Sequence, residues 1–319
     1  MLTLLAAWIW IISGLDNQRA GQEQELGGGP IVETREFAID KINQVEVALE
    51  EFKRVPKLKE DADPKPPLSW SHSAVAIDAE SGQILFSKDE RKKMPLASLT
   101  KIMTAIVLME EIKDWKEPVK ISQKAAFSGG ANIHLKWDEE VRADDLFKAM
   151  LMNSDNAASI ALAEHVSGNI EEFTKLMNDK AREIGALDTH FEEPSGLEDE
   201  KSFSNAYDMA KMTQYALKND KIRTIMRTPG PLEISSCDGT IKHRVGNTNI
   251  YLKDEAKAPR VIGAKTGFTY NAGYCLMAAM HDKSGEREVI GVLLNSGQEM
   301  RWEEMEQMIN WSLDNYIWN

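Results

Sequence analysis

Residues 95–112, PLASLTKIMTAIVLMEEI, predict a helix with Leu99, Ile102, Met103, Ile106, Met109 and Ile112 at helical spacing. The positions between them are mostly small or apolar too, so the helix is apolar on most of its sides. A helix of that kind must be enclosed by protein, and everything else in the fold has to supply the enclosure. The chain has 319 residues, enough for one large domain or two modest ones. Its composition, 42% hydrophobic and 28% charged, is that of a globular protein able to bury a sizeable core. The same helix carries one cation, Lys101, where burial disfavours the ammonium form.

The flanking sequence indicates what does the enclosing. HSAVAID and QILFSKD read as two strands of a hairpin joined by AESG. Residues 120–220 read as mostly helical, and strands return after Leu232. The clearest later pair is GYCLMAAMHD and REVIGVLLNS, linked through Lys283, Ser284 and Gly285. A last helix begins near Gly297 and sets Trp302, Met305, Met308, Ile309 and Leu313 on one face. Strands at both ends with helices between predict an α/β protein of the α+β kind. Its single antiparallel sheet is assembled from both ends of the chain, with a helical insertion.

Ahead of this lies a different texture. Residues 2–15, LTLLAAWIWIISGL, form an uninterrupted apolar run. It is shorter than the roughly 20 residues that span a bilayer and closer to the core of a secretion signal. Basic residues before it and a clear small-x-small cleavage site are missing. The segment is expected to be a signal peptide or, by preference, a signal-anchor, since Trp8 and Trp10 are amphipathic and a polar stalk follows. A buried helix of the folded domain is the alternative. Residues 16–67 read as that stalk: GQEQELGGGP, a helical stretch over about 32–53, then VPKLKEDADPKPP. The expected organisation is therefore 1–15 signal or anchor, 16–67 linker and 68–319 a single catalytic domain, with the body of the chain outside the cytoplasm.

Charge and metal-ligand patterns exclude several classes. A net charge of −13 repels nucleic acid and anionic lipid, although a few lysines reverse the field inside one cleft. Cys237 and Cys275 form no CxxC pair; two unconnected thiols is the preferred reading and a disulfide the alternative. His72, His134, His165, His190, His243 and His281 make no HxxxH or HExxH pattern, so no metal or other cofactor is expected.

Three short motifs carry chemistry. Ser98 and Lys101, in Ser98-Leu99-Thr100-Lys101, lie three apart at a helix start, with Cβ atoms about 5–6 Å apart. A serine hydroxyl needs a base to become a nucleophile, and a desolvated lysine can be one. The helix start also offers the Ser98 N–H as an oxyanion donor. Taken alone the pattern is weak, but its helix is apolar and no second SxxK occurs. Ser154-Asp155-Asn156 falls between two helical segments. There Ser154 can relay a proton and Asn156 can bind both Lys101 and a substrate amide, or the trio is simply an N-cap. Lys265-Thr266-Gly267 lies on a late strand. A cation and a hydroxyl side by side hold a carboxylate, Gly267 lets a substrate backbone approach, and the Phe268 N–H is the second oxyanion donor.

The ordered set SxxK, SxN, KTG is the signature of penicillin-binding proteins and class A β-lactamases. With PLASLTKIMTA, NSDNAASIALAE, EPSGLEDEKSFSNAYDMA, GNTNIYL and GAKTGFTYNAGYCL, residues 68–319 resemble the low-molecular-mass penicillin-binding proteins. The resemblance is to the D-alanyl-D-alanine carboxypeptidases of serine peptidase family S11. It implies a β-lactamase/transpeptidase-like fold, an antiparallel sheet of about five strands flanked by helices, with a mainly helical subdomain. It implies peptidoglycan stem peptides ending in D-Ala-D-Ala as substrate and β-lactam antibiotics as inhibitors. The roles implied are Ser98 nucleophile, Lys101 base, Ser154 and Asn156 catalytic partners, Lys265, Thr266 and Gly267 substrate contacts, and Ser98 and Phe268 oxyanion donors.

Departures are Asp155 where many relatives have glycine, Ser195-Gly196-Leu197 where many have His-Gly-Leu, and an end at Asn319 where many have a further β-domain. Ser195-Gly196-Leu197 is read as a structural turn, and membrane attachment is expected through the N-terminal segment only. The alternatives are a β-lactamase using Glu192, Glu193 or Glu198, a D-Ala-diaminopimelate endopeptidase, and an inactive cell-wall module.

Overall fold

A computed structural model describes residues 55–197 and 201–318. The apolar segment 2–15, the linker up to 54 and Glu198 lie outside the described residues. In chain order the strands are β1 (Lys57–Leu58), β2 (Ser73–Asp78), β3 (Ile84–Lys88), β4 (Pro118–Lys120), β5 (Glu140–Arg142), β6 (Leu232–Ser235), β7 (Lys242–Val245), β8 (Val261–Thr269), β9 (Gly273–His281), β10 (Glu288–Ser296) and β11 (Tyr316–Ile317). The helices are α1 (Lys101–Glu111), α2 (Gln123–Ala126), α3 (Ala143–Met152), α4 (Asn156–Ser167), α5 (Ile170–Ile184), α6 (Ala206–Ala216), α7 (Asp220–Arg227) and α8 (Met300–Asn315).

The main sheet has five strands in the order β3-β2-β10-β9-β8. All its pairings are antiparallel. Strands from both ends of the chain meet at its centre, where β2 pairs β10 with Val75 opposite Val292 and Ile77 opposite Ile290. The side-chain period of two then sorts the core. Val75, Ile77, Met277, Ala279, Ile290 and Val292 face the cluster that holds α1 and the helical subdomain. Ala74, Ala76, Ala278, Met280, Val289 and Leu293 face Trp302, Met305 and Ile309 of α8. At Gly291 a Cβ would stand 2.4 Å from the Met305 sulfur, so a missing side chain lets α8 seat on the sheet.

The helix that opened the reading is buried as expected. Lys101 through Leu108 are all buried. A short 3-10 turn, Ala97–Thr100, precedes it and carries Ser98, so the nucleophile candidate stands just before the α-helix proper.

The ends of the domain differ from expectation. Residues 55–67 belong to the predicted linker, yet Lys57 pairs with Ile317 and Leu58 with Tyr316. The Lys59 N–H bonds the Asn315 carbonyl at 2.9 Å, and Trp311 Nε1 donates to the Asp63 carbonyl at 3.0 Å. Composition alone hid this, because the bonds are made mainly by backbone groups, which any sequence possesses. Buried Glu304 fastens the next stretch to α8, accepting the N–H groups of Trp70 and Ser71 at 2.7 and 3.0 Å. Both cysteines are free, Cys237 exposed and Cys275 buried.

Candidate active site

The three motifs converge on one cleft between the β8 edge of the sheet and the helical subdomain. Ser98, Gly130, Ser154, Asn156, Gly196, Thr248, Thr266, Gly267, Phe268 and Arg301 are among its lining residues, around a volume of about 340 Å³.

The first motif is arranged by α1. Lys101 Nζ lies 3.1 Å from Ser98 Oγ, 2.6 Å from Asn156 Oδ1 and 2.5 Å from the carbonyl of Ser195. Two of these neighbours are carbonyl oxygens, which only accept. A neutral amine has two N–H groups and one lone pair, so satisfying both carbonyls leaves the lone pair for the serine hydroxyl. Burial loosens the proton: Lys101 is lowered to about 8 by desolvation, against the opposing charges of Glu193 and Asp155. Ala97, just before Ser98, has φ +48°, a left-handed conformation that costs a non-glycine residue about 1–2 kcal/mol.

In the second motif one residue caps a helix while its two neighbours line the cleft. Asp155 is the N-cap of α4, accepting the Ala158 N–H at 2.7 Å, and it also accepts the Ile133 N–H at 2.5 Å. That cap fixes its neighbours in the cleft. Asn156 donates its amide to the Gly129 carbonyl at 3.0 Å while its oxygen meets Lys101. Ser154 takes φ +63° and accepts from Lys265 Nζ at 2.6 Å. The hydroxyl expected to relay a proton is thus joined to Lys265.

The third motif is on β8, the edge strand, so one row of its backbone groups is not used by the sheet and borders the cleft. Gly267 passes close to Ser98: a Cβ there would lie 3.0 Å from the Leu96 carbonyl and 3.2 Å from the Ser98 nitrogen. Lys265 is fully buried behind Ser154, and burial together with the charges of Lys101 and Arg301 pushes it well below its ordinary value. Thr266 Oγ1 bonds Thr248 Oγ1 at 3.0 Å. Phe268 is half exposed and stacks on Tyr274, ring centroids 4.3 Å apart.

Several lining groups lie outside the three motifs. Arg301 enters from the start of α8, with Nη1 3.4 Å from the Gly267 carbonyl; its Nε is buried without a hydrogen-bond partner among the described residues. Thirty-four residues separate it from Gly267, and no spacing rule links them. Ser195-Gly196-Leu197, read as a structural turn, brings a backbone carbonyl to Lys101 and lines the cleft. The signal available was its departure from His-Gly-Leu, but a contact made by backbone leaves no trace in residue type.

Comparison with known proteins gives the class first. The crystal structure of a Streptomyces DD-transpeptidase superposes with a TM-score of 0.72 at 25% identity, over 79% of this chain and 100% of that one. The fold is therefore β-lactamase/transpeptidase-like. The D-alanyl-D-alanine carboxypeptidase DacF of Bacillus subtilis is 36% identical over 76% of this chain, and a D-alanyl-D-alanine endopeptidase of Escherichia coli is 30% identical over 65%. This chain spans 62% and 66% of their respective lengths. The profile of serine peptidase family S11, D-alanyl-D-alanine carboxypeptidase, matches residues 61–298, and the chain belongs to that family.

Proposed function

We propose that the chain is a serine D-Ala-D-Ala carboxypeptidase that trims peptidoglycan stem peptides, and that β-lactams acylate the same serine. The observation that carries this reading is the placement of Lys101, a desolvated amine whose Nζ lies within hydrogen-bond distance of Ser98 Oγ and of the Asn156 and Ser195 carbonyl oxygens.

Ser98 Oγ attacks the carbonyl carbon of the penultimate D-Ala and passes its proton to Lys101 Nζ. Negative charge on the substrate oxygen is held by the N–H groups of Ser98 and Phe268. The peptide C–N bond breaks as the departing D-Ala amine takes up, through Ser154, the proton that Lys101 received from Ser98; Ser154 is itself held by Lys265. Water then cleaves the acyl ester and restores Ser98. The terminal carboxylate rests on Thr266, with Arg301 beside it in the cleft and Lys265 behind Ser154. Gly267 and the unpaired edge of β8 receive the substrate backbone as an added strand.

The two described glutamates, Glu192 and Glu193, weigh against the β-lactamase alternative. The Glu193 carboxylate is occupied by the N–H groups of Ser195 and Gly196, and Glu192 bonds His190 at 2.9 Å, so neither is presented to a hydrolytic water in the cleft. Such a substrate lies outside the cytoplasmic membrane. No helix among the described residues is long and apolar enough to cross one. We assign export or anchoring to the apolar run 2–15 on its resemblance to the core of a secretion signal.

The test is release of D-Ala from a synthetic peptide ending in D-Ala-D-Ala, run beside a cross-linked muropeptide. The carboxypeptidase reading expects release from the linear peptide, and a loss of at least about 10³-fold in Ser98→Ala. Cleavage confined to the cross-linked substrate supports the endopeptidase, and turnover of a cephalosporin with no D-Ala release supports the β-lactamase.

A further inference from the structure

Glu193 belongs to none of the three motifs, yet its carboxylate organises the loop that meets the lysine. One oxygen accepts both the Ser195 N–H, at 2.8 Å, and the Ser195 hydroxyl; the other accepts the Gly196 N–H. Three donors from two consecutive residues close a tight turn. Gly196 completes it with φ +78°, and a Cβ there would lie 1.9 Å from the Ala97 carbonyl oxygen, so the turn is pressed against the segment that presents Ser98. The turn aims two successive carbonyls inward. That of Pro194 accepts Thr104 Oγ1 at 2.6 Å and Ser159 Oγ at 2.8 Å, and that of Ser195 accepts Lys101 Nζ at 2.5 Å.

We propose that Glu193 is a positioning residue that sets the basicity of Lys101. It holds the Ser195 carbonyl on the amine and puts a negative charge beside a lysine stripped of water. The proposal rests on reading Lys101 as the base. The other charged groups around that amine are Asp155, from the cap of α4, and Lys265, from β8; α1 itself contributes none. Asp155 gives its two oxygens to the N–H groups of Ala158 and Ile133, which leaves Glu193 as the acid whose bonds lie on the lysine's own carbonyl ligand. A base is most effective when its pKa lies near the working pH. Burial lowers the Lys101 amine, and the charge of Glu193 opposes that lowering.

The experiment is the pH dependence of the second-order rate of Ser98 acylation by benzylpenicillin. It compares the wild type with Glu193→Asp and Glu193→Gln, with melting curves recorded for each. In the wild type the rate rises through an inflection near pH 8, where Lys101 loses its proton. Glu193→Gln removes the charge and shifts the inflection down by about one unit or more. Glu193→Asp keeps the charge but withdraws it by one methylene, giving a smaller shift in the same direction. The plateau rate falls in both, because the Ser195 carbonyl is no longer fixed. An inflection that stays at the wild-type pH in the variants, whatever their rates, overturns the proposal; should the Gln variant not fold, the Asp variant decides. A wild type that is not acylated, or that shows no inflection, sinks the reading of Ser98 and Lys101 itself. Unmoved variants beside an inflected wild type sink only the role of Glu193.

Discussion

At the scale of single residues, the account turns on one lysine whose burial is costly to the fold and useful to the chemistry. An amine lowered from 10.5 to about 8 makes a stability statement as well as a catalytic one. Between those two values the unfolded chain binds a proton that the folded chain has shed, so folding is favoured as pH rises through the window. Below about pH 8 both states carry the proton and the full penalty of burying it applies, roughly 3 kcal/mol for this shift. Lys101→Met lacks the group. Urea unfolding at a series of pH values is expected to show the wild type gaining on Lys101→Met by roughly 2 kcal/mol between pH 8 and pH 10. A difference constant across that range contradicts the assignment. The residue types of this site were open to sequence reading: Ser98, Lys101, Ser154, Asn156, Lys265, Thr266, Gly267 and Phe268 all lie at or against one cleft. Their partners were less open. That Ser154 bonds Lys265, and that a carbonyl of Ser195 completes the ligands of Lys101, depends on which atoms meet after folding.

At the scale of elements, two of the motifs sit where one segment hands over to another and the third lies on an edge strand. Ser98 lies in the 3-10 turn entering α1, Ser154 in the turn before α4, and Lys265 on an edge strand. Both junctions hold non-glycine residues at positive φ, Ala97 and Ser154, so local strain surrounds the reactive groups. Asp155 illustrates why motif and cap are hard to separate in a sequence: the capping residue aims its neighbours, and one tripeptide does both jobs. The loop at Gly196 is the element where substitution should be least tolerated. Its Cβ would meet backbone, which cannot swing away as a side-chain tip can. Gly196→Ala is expected to lower penicillin acylation by at least about 10²-fold, through displacement of the Ser98 turn. An acylation rate within a factor of two of wild type would show that the turn and the nucleophile are not coupled.

At the scale of the whole molecule, periodicity carried the order of strands and helices, and the enclosing role of the sheet followed from the apolar helix it had to cover. The pairing of β2 with β10 across more than two hundred residues was inferred only as a consequence of having strands at both ends. What composition concealed was the extent of the domain. Residues 55–67 read as a proline-rich, charged linker and yet close on α8 and β11 through backbone bonds. Acidity over the molecule as a whole likewise masks the cleft, where Arg301 lies by the Gly267 carbonyl, Lys265 by Ser154 Oγ and Lys101 by the Ser98 hydroxyl. The central claim is that the Ser98 hydroxyl is the nucleophile. Intact-mass spectrometry followed by peptide mapping after exposure to benzylpenicillin addresses it directly. One covalent adduct per chain, on Ser98 and absent from Ser98→Ala, is the predicted result; an unmodified chain, or an adduct that persists in Ser98→Ala, would contradict it.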